Sequence, residues 1–338
     1  MVEKIPNENW HTEAVLTLLK TKGIGRKTIQ TFLTILQDES RDIQFPSNPE
    51  ELHDTVANLE KIAKQEKRAY KLPTNFALDE GNTKAREIII TSNDLNIQIL
   101  NWSSDIFPES LKKIPDPPVI LFAKGNSSLL QTSDSIAVIG TRNPTEYGSQ
   151  ISHHLGYRLA QNGITVVGGL AKGCDIAAHQ GCLDAEGQTI AVLAHGLDSI
   201  YPRSNETVAQ QIIHTGGCLL SEFEPGVKAS RYHFVDRDRL QSGLSKAVIV
   251  VETGEKGGTM HTATFALKQN RELRVVHFPK EQATVEQQKG YDRLIAEFKA
   301  NSINAENDDE LDQFISKIKQ SLPVQDERPN NQSSIFNW

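Results

Sequence analysis

Cysteine is scarce in this chain, and what little there is excludes two classes of scaffold. Cys174, Cys182 and Cys218 contain no CxxC pair and are odd in number, so they encode neither a disulfide framework nor a zinc ribbon. His179 lies near two of them, but the spacings match no standard metal site, and the thiols read as small buried side chains without a metal. No apolar run approaches the roughly 18 residues of a membrane span, and the opening MVEKIPNENW lacks the cationic and apolar regions of a signal peptide. The expectation is a cytoplasmic protein with no membrane partner. A large excess of one charge is missing too: 36 basic against 43 acidic residues give −7, which argues against a broad nucleic-acid surface. Residues 134–280 carry 14 of each sign, whereas 281–338 carry 6 basic and 11 acidic, so a local anion site in the middle of the chain stays open.

What is present is a globular composition, 38% hydrophobic and 23% charged over 338 residues, about twice the length of a typical domain. Six short apolar runs, several rich in β-branched residues, read as strands buried on both faces: Ser135–Gly140, Ile164–Gly168, Thr189–Ala194, Gly217–Glu222, Ala247–Glu252 and Leu273–Phe278. Between them lie helical patterns at Gly148–Asn162, Asp175–Glu186, Ser204–Thr215 and Thr259–Gln269. Repeated βα units predict an α/β fold, an extended Rossmann-like, doubly wound, mostly parallel sheet whose ligands sit beyond the carboxyl ends of the strands.

The flanks differ from this core. Glu13–Lys20 and Lys27–Leu36 read as short helices around a glycine turn, with Leu16, Leu19, Ile29, Phe32 and Leu33 available to pack together. This resembles a helix-hairpin-helix or SAM-like element, and Gly23, Gly25, Arg26 and Lys27 are candidates for a weak DNA contact there; an ordinary helical turn fits equally well. Lys61–Lys71 reads as a solvated cationic face. The expected organisation is an N-terminal helical domain over 1–95, a connecting segment over 96–133, a Rossmann-like domain over 134–300 and an acidic segment over 301–338. That last segment holds a helix at Leu311–Ile318 and a tail from Pro323, but no winged helix.

Four loops carry the candidate chemistry. Gly140-Thr141-Arg142 ends the first of the six strands, Gly168-Gly169-Leu170-Ala171-Lys172-Gly173 the second, and Gly257-Gly258-Thr259 opens a helix after the fifth. Neither GxGxxG nor GxxxxGK[ST] is complete, which removes a standard dinucleotide fingerprint and the Walker motif. Glycine backbone at a helix start still suits an anion, and Arg142 suits phosphate or a carboxylate. Asp175 and His179 share a helical face but lack a nucleophile, and a structural hydrogen bond is the reading preferred. Phe234-Val235-Asp236-Arg237-Asp238-Arg239 fits a compensated surface helix as well as a cationic site. Taken together, these segments predict a site for polyphosphate or a nucleic-acid backbone.

AVIGTRNPTEYG, VVGGLAKGCDIAAHQGCL, AVLAHGLDSIYPRSN, LLSEFEPG and FVDRDRLQSGLSKAVIVVETGEKGGTMHTATFALKQNREL, in that order, resemble the DNA-processing protein A (DprA, or Smf) family over about residues 97–300. The resemblance implies a dimer without cofactor or catalytic residue that binds single-stranded DNA and hands it to a RecA-type recombinase in natural transformation. It implies strand contacts from Arg142 and Lys172, and from Arg237 with the Gly257-Gly258-Thr259 loop; joined to the reading of the loops, the candidate nucleic-acid or phosphate-binding residues are Gly140, Thr141, Arg142, Gly169, Lys172, Gly173, Phe234, Arg237, Arg239, Gly257, Gly258 and Thr259. The chain departs from the family in having Asp238 where Asn is common between the two arginines, and Cys174 where an aliphatic residue is usual.

Two rivals come from other classes. A phosphoribohydrolase-like nucleotide enzyme needs a glutamate where this chain has Thr262. A DprA-like regulatory or antitoxin subunit of a phage-defence system would be encoded beside its toxin.

Overall fold

The computed structural model describes residues 10–36, 46, 49–65, 75–279 and 283–321. Four helices come first: α1 (Trp10–Lys20), α2 (Arg26–Leu36), α3 (Pro49–Gln65) and α4 (Asn75–Asp94). Strand β1 (Gln98–Asn101), the short α5 (Glu109–Lys112) and β2 (Ile120–Gly125) lead into β3 (Ser135–Ile139), α6 (Glu146–Gln161), β4 (Thr165–Gly168), α7 (Cys174–Asp184) and β5 (Thr189–Leu193). Then follow α8 (Glu206–His214), β6 (Cys218–Ser221), α9 (Arg231–Leu244), β7 (Ala247–Val250), α10 (Gly258–Lys268), β8 (Glu272–Val276), α11 (Val285–Ala296), β9 (Asn301–Ile303) and α12 (Asp308–Gln320).

All six runs read from the sequence are strands of one nine-stranded sheet, ordered β1-β2-β6-β5-β4-β3-β7-β8-β9. From β6 to β9 neighbours run parallel, while β1 pairs antiparallel with β2 and β2 with β6. The six central strands are therefore joined by one more parallel strand and an antiparallel pair. β9 has three residues, too few to show a period, and β1 is partly exposed, so neither has a buried strand's continuous apolar run. β2 (Ile120–Gly125) follows a proline-rich stretch that masks it. Between β3 and its two neighbours the order of connection reverses, which opens a crevice at the carboxyl end of β3.

Two apolar layers flank the sheet. On one side Ile136, Val138, Ile151, Leu155, Cys174, Cys182 and the Leu311/Phe314/Ile315/Ile318 stripe of α12 pack together. Helices α6 and α7 come very close, because Cβ atoms at Gly156 or Gly181 would collide with the Ala178 or His153 carbonyl. On the other side one cluster runs without a break from Ala14, Leu16, Ile29 and Phe32 of the first two helices through Leu121 and Leu220 to Leu294. Glu13 is fully buried in α1 and accepts from Arg86 Nε (2.7 Å) and Asn82 Nδ2 (2.8 Å) of α4. Both bonds fall on Oε1 and offset part of the cost of burying the charge, while Oε2 is buried without a hydrogen-bond partner. Lys61 to Gln65 lie in α3; the rest of the Lys61–Lys71 stretch and the tail from Pro323 fall outside the described residues. Among the described residues no helix is long and apolar enough to cross a membrane, and no cluster of His, Cys, Asp or Glu fits a metal ion.

Candidate nucleic-acid interface

The crevice beyond β3 widens into a cleft of about 1120 Å³. Thr141 and Arg142 line it from the β3–α6 loop, Ala171 from the β4–α7 loop, Phe234 and Arg237 from α9, and Gly257, Gly258 and Thr259 from the start of α10. Four segments far apart in sequence thus meet where parallel-sheet geometry puts ligands. Lys172 is exposed beside Ala171.

The three helix starts at this edge are not equivalent. At α6, Thr145 caps Gly148 N–H (3.0 Å) and Glu252 fills the space in front: its carboxylate accepts from Thr145 N (2.9 Å), Thr145 Oγ1 (2.6 Å) and Gln287 Nε2 (2.7 Å). At α7, Asp175 is buried and accepts from Gly169 N (2.8 Å). Both anion positions are therefore filled by the protein's own carboxylates. At α10 no side chain caps the helix, its first turn holds no acidic residue, and a Cβ on Gly257 or Gly258 would meet open space. That helix end offers unsatisfied amides to the cleft. Its φ of 151° at Gly257 is a conformation side chains rarely adopt.

Several expected contacts have other duties. Gly169 donates to Asp175, and a Cβ there would strike the Arg237 guanidinium, so this glycine makes room for packing. Gly173 (φ 86°) allows Cys174 N to donate to Thr141 O at 3.2 Å, which ties the first two loops together. Arg237 is 5% exposed and donates from Nη1 to Val192 O (2.7 Å), with Nε 3.2 Å from Asp238 Oδ1.

Arg239 is the clearest correction. Residues two apart on a helix point roughly 200° apart, so it cannot share Arg237's face. It turns away from the cleft, donating to both Glu222 oxygens (2.8 and 2.7 Å), and its Nε lies 3.4 Å from Asp116. Arg26 bonds the same two carboxylates, at 3.1 Å to Glu222. The glycine hairpin between α1 and α2 exists, but Arg26 anchors it to the sheet domain instead of facing solvent. Gly23, Gly25 and Lys27 are exposed.

The stretch 237–239 is thus neither a solvated surface helix nor one cationic patch, for all three residues are buried. Burial pushes the Asp238 carboxyl up to about 7 against the pull of the Arg237 guanidinium, and nearby Asp175 adds to the rise. Asp175 is itself raised by burial, against the pull of Arg237. The Asp175–His179 pairing does not form. His179 Nδ1 bonds Thr189 Oγ1 (2.7 Å), whose proton goes to Val166 O (2.7 Å). The imidazole is the donor and stays neutral, with burial pulling it down to about 3.

Sequence reasoning missed Lys228, Arg231 and Lys256, cations that also line the cleft, and Tyr201. Arg142 lies 4.8 Å above the Phe234 ring, which is 5.9 Å from that of Tyr201. Lys228 and Arg231 sit just upstream of the FVDRDR stretch, the one available signal; Tyr201 follows β5 with none. The Cys174 thiol, at Gly140, is pushed up to about 12 by burial, so it is no nucleophile.

A family model described as DNA recombination-mediator protein A matches residues 98–314. The chain belongs to this family. It is 42% identical over 190 residues to the DNA processing protein DprA of Bacillus subtilis, covering 56% of this chain and 64% of that protein. With protein Smf of Escherichia coli it shares 38% identity over 178 residues, 53% of this chain and 47% of the relative. The chain therefore spans less than two thirds of the length of either. The structure of DprA from Streptococcus pneumoniae superposes with a TM-score of 0.69 at 25% identity, over 90% of this chain and 96% of that one. DNA processing protein A from Helicobacter pylori, whose structure concerns a single-stranded DNA binding mode, gives 0.57 at 31% identity over 66% and 96%.

Proposed function

We propose that this recombination-mediator family member binds single-stranded DNA in the cleft and passes it to a RecA-type recombinase, acting by binding without turnover. The uncapped start of α10, lining the same cleft as Arg142, carries this reading. Phosphates track the rim along Arg142, Lys172 and Gly257-Gly258-Thr259, while Phe234 and Tyr201 give bases a face to stack on. A flexible single strand enters such a concave site, and a stiff duplex does not. The recombinase partner, the homodimer and the role in DNA uptake rest on family membership; the H. pylori relative supports the single-stranded DNA ligand alone. Titrating one labelled strand and its duplex at matched salt tests the reading: the single strand binds more tightly, and equal affinities sink it.

A further inference from the structure

We infer that the floor of the cleft is a base pocket selective for guanine, with the Asp238 carboxylate as the acceptor for the N1–H and N2 amino protons. This deepens the single-strand reading and rests on it. The rim of the cleft is cationic, yet Asp175 and Asp238 line its floor. A phosphate stays at the rim, because two carboxylates repel it below; the group that reaches the floor has to be a hydrogen-bond donor.

The two carboxylates differ in availability. Asp175 is held by the Gly169 amide (2.8 Å). Asp238 contacts Arg237 Nε (3.2 Å) through Oδ1, and the Gln241 amide, turned to the orientation its neighbours require, reaches the same oxygen at 3.1 Å. Both contacts fall on one oxygen, which leaves Oδ2 for a guest. The Arg237 guanidinium, in a side chain 95% buried, lines the cleft beside Asp238 and suits a carbonyl oxygen such as guanine O6. Phe234 and Tyr201, tilted 47° to one another, form an aromatic wall between rim and floor.

Base chemistry then decides among occupants. Thymine offers one N–H between two carbonyls, which a carboxylate repels. Cytosine and adenine each offer one amino group beside a ring nitrogen acceptor. Guanine alone sets two donors side by side on its Watson–Crick edge, and both can converge on the two lone pairs of Oδ2. Burial raises Asp238 to about 7, so the acceptor form is secured at about pH 8.

The test uses the full chain at that pH with two labelled strands, oligothymidylate and the same strand carrying one central guanine, and with the monophosphates of deoxyguanosine, deoxyinosine and thymidine. Wild type prefers the guanine strand about tenfold; inosine in its place, lacking the N2 amino group, loses most of the gain. Asp238→Asn, an isosteric change, abolishes the preference while still binding oligothymidylate. Equal affinity of wild type for both strands overturns the base pocket and leaves the strand reading standing. A preference that persists in Asp238→Asn overturns it as well. If neither strand binds, the strand reading fails and the monophosphates decide: deoxyguanosine monophosphate favoured over the other two, and only with Asp238, supports the pocket, and equal binding overturns it.

Discussion

Two regions at the same edge of the sheet gather arginines and carboxylates and put them to opposite uses. In the seam under the N-terminal hairpin, Arg26 and Arg239 meet Glu222 and Asp116 and every charge is answered. In the cleft on the other side of α9, Arg142, Lys228, Arg231 and Lys256 line the wall with no ion pair among the described residues, and Arg237 alone is matched to a carboxylate. Counting cations along the sequence treats the two alike. What separates them is which charges the fold has already neutralised, and that depends on helix faces and on partners up to 196 residues away, as for Arg26 and Glu222.

The comparison breaks most visibly if the seam is cut. Arg239→Ala leaves Glu222, whose side chain is 10% exposed, without its bidentate partner, and a buried ion pair broken from one side costs on the order of 3 kcal/mol. Urea unfolding should show that loss, while strand affinity of the folded fraction stays as it was. A stable Arg239→Ala protein with weakened strand binding would instead move Arg239 into the interface.

Arg142→Ala is the converse. The side chain is exposed, so stability should change by no more than about 0.5 kcal/mol, while affinity falls on all strand sequences and the salt slope drops by roughly 0.7 for the lost phosphate contact. Lys172→Ala should behave alike. An unchanged slope would make either residue a bystander.

Asp238 links the two behaviours through pH. Its carboxyl titrates at 3.8 when unperturbed and at about 7 in the fold, so the folded state holds the extra proton between those values. The associated stability is complete below the lower value and is lost as pH rises through about 7. Around it stand Arg237 and Gln241 from its own helix, Asp175 from α7 and Arg142 from the β3–α6 loop. Asp238→Asn removes the ionisation, so it should gain on wild type by on the order of 2 kcal/mol between about pH 5 and about pH 8 and converge with it only below about pH 4. Parallel curves over that range would refute the assignment.

The sequence made the frame legible because five fully buried strands and a sixth with half-buried Glu272 and Arg274 leave a clear apolar signature, and because βα repetition dictates where a ligand sits. Gly140-Thr141-Arg142 and Gly257-Gly258-Thr259 were expected at that edge for that reason, and they line the cleft there. Arg239 was misplaced because adjacent charges on a helix look like one patch until their angular separation is considered. Glu252, which plugs the start of α6, bonds Thr145 across 107 residues, and no local pattern marks such a pairing.

The smallest expected effect lies back at the hairpin. Its turn exposes Gly23, Gly25 and Lys27, a backbone that accepts a phosphate without obstruction, but Arg26, the cation best placed to reinforce it, is committed to Glu222 and Asp116. A single exposed lysine near a strand contributes at most one counterion's worth of affinity, a change of about 0.7 or less in the salt slope. Lys27→Ala should therefore weaken strand binding about twofold at low salt and by nothing measurable once screening shortens the Debye length to roughly 8 Å. An effect as large as that of Arg142→Ala, persisting at high salt, would mean that the strand's path crosses the hairpin as well as the cleft, and that the seam holds a second binding surface in register with the first.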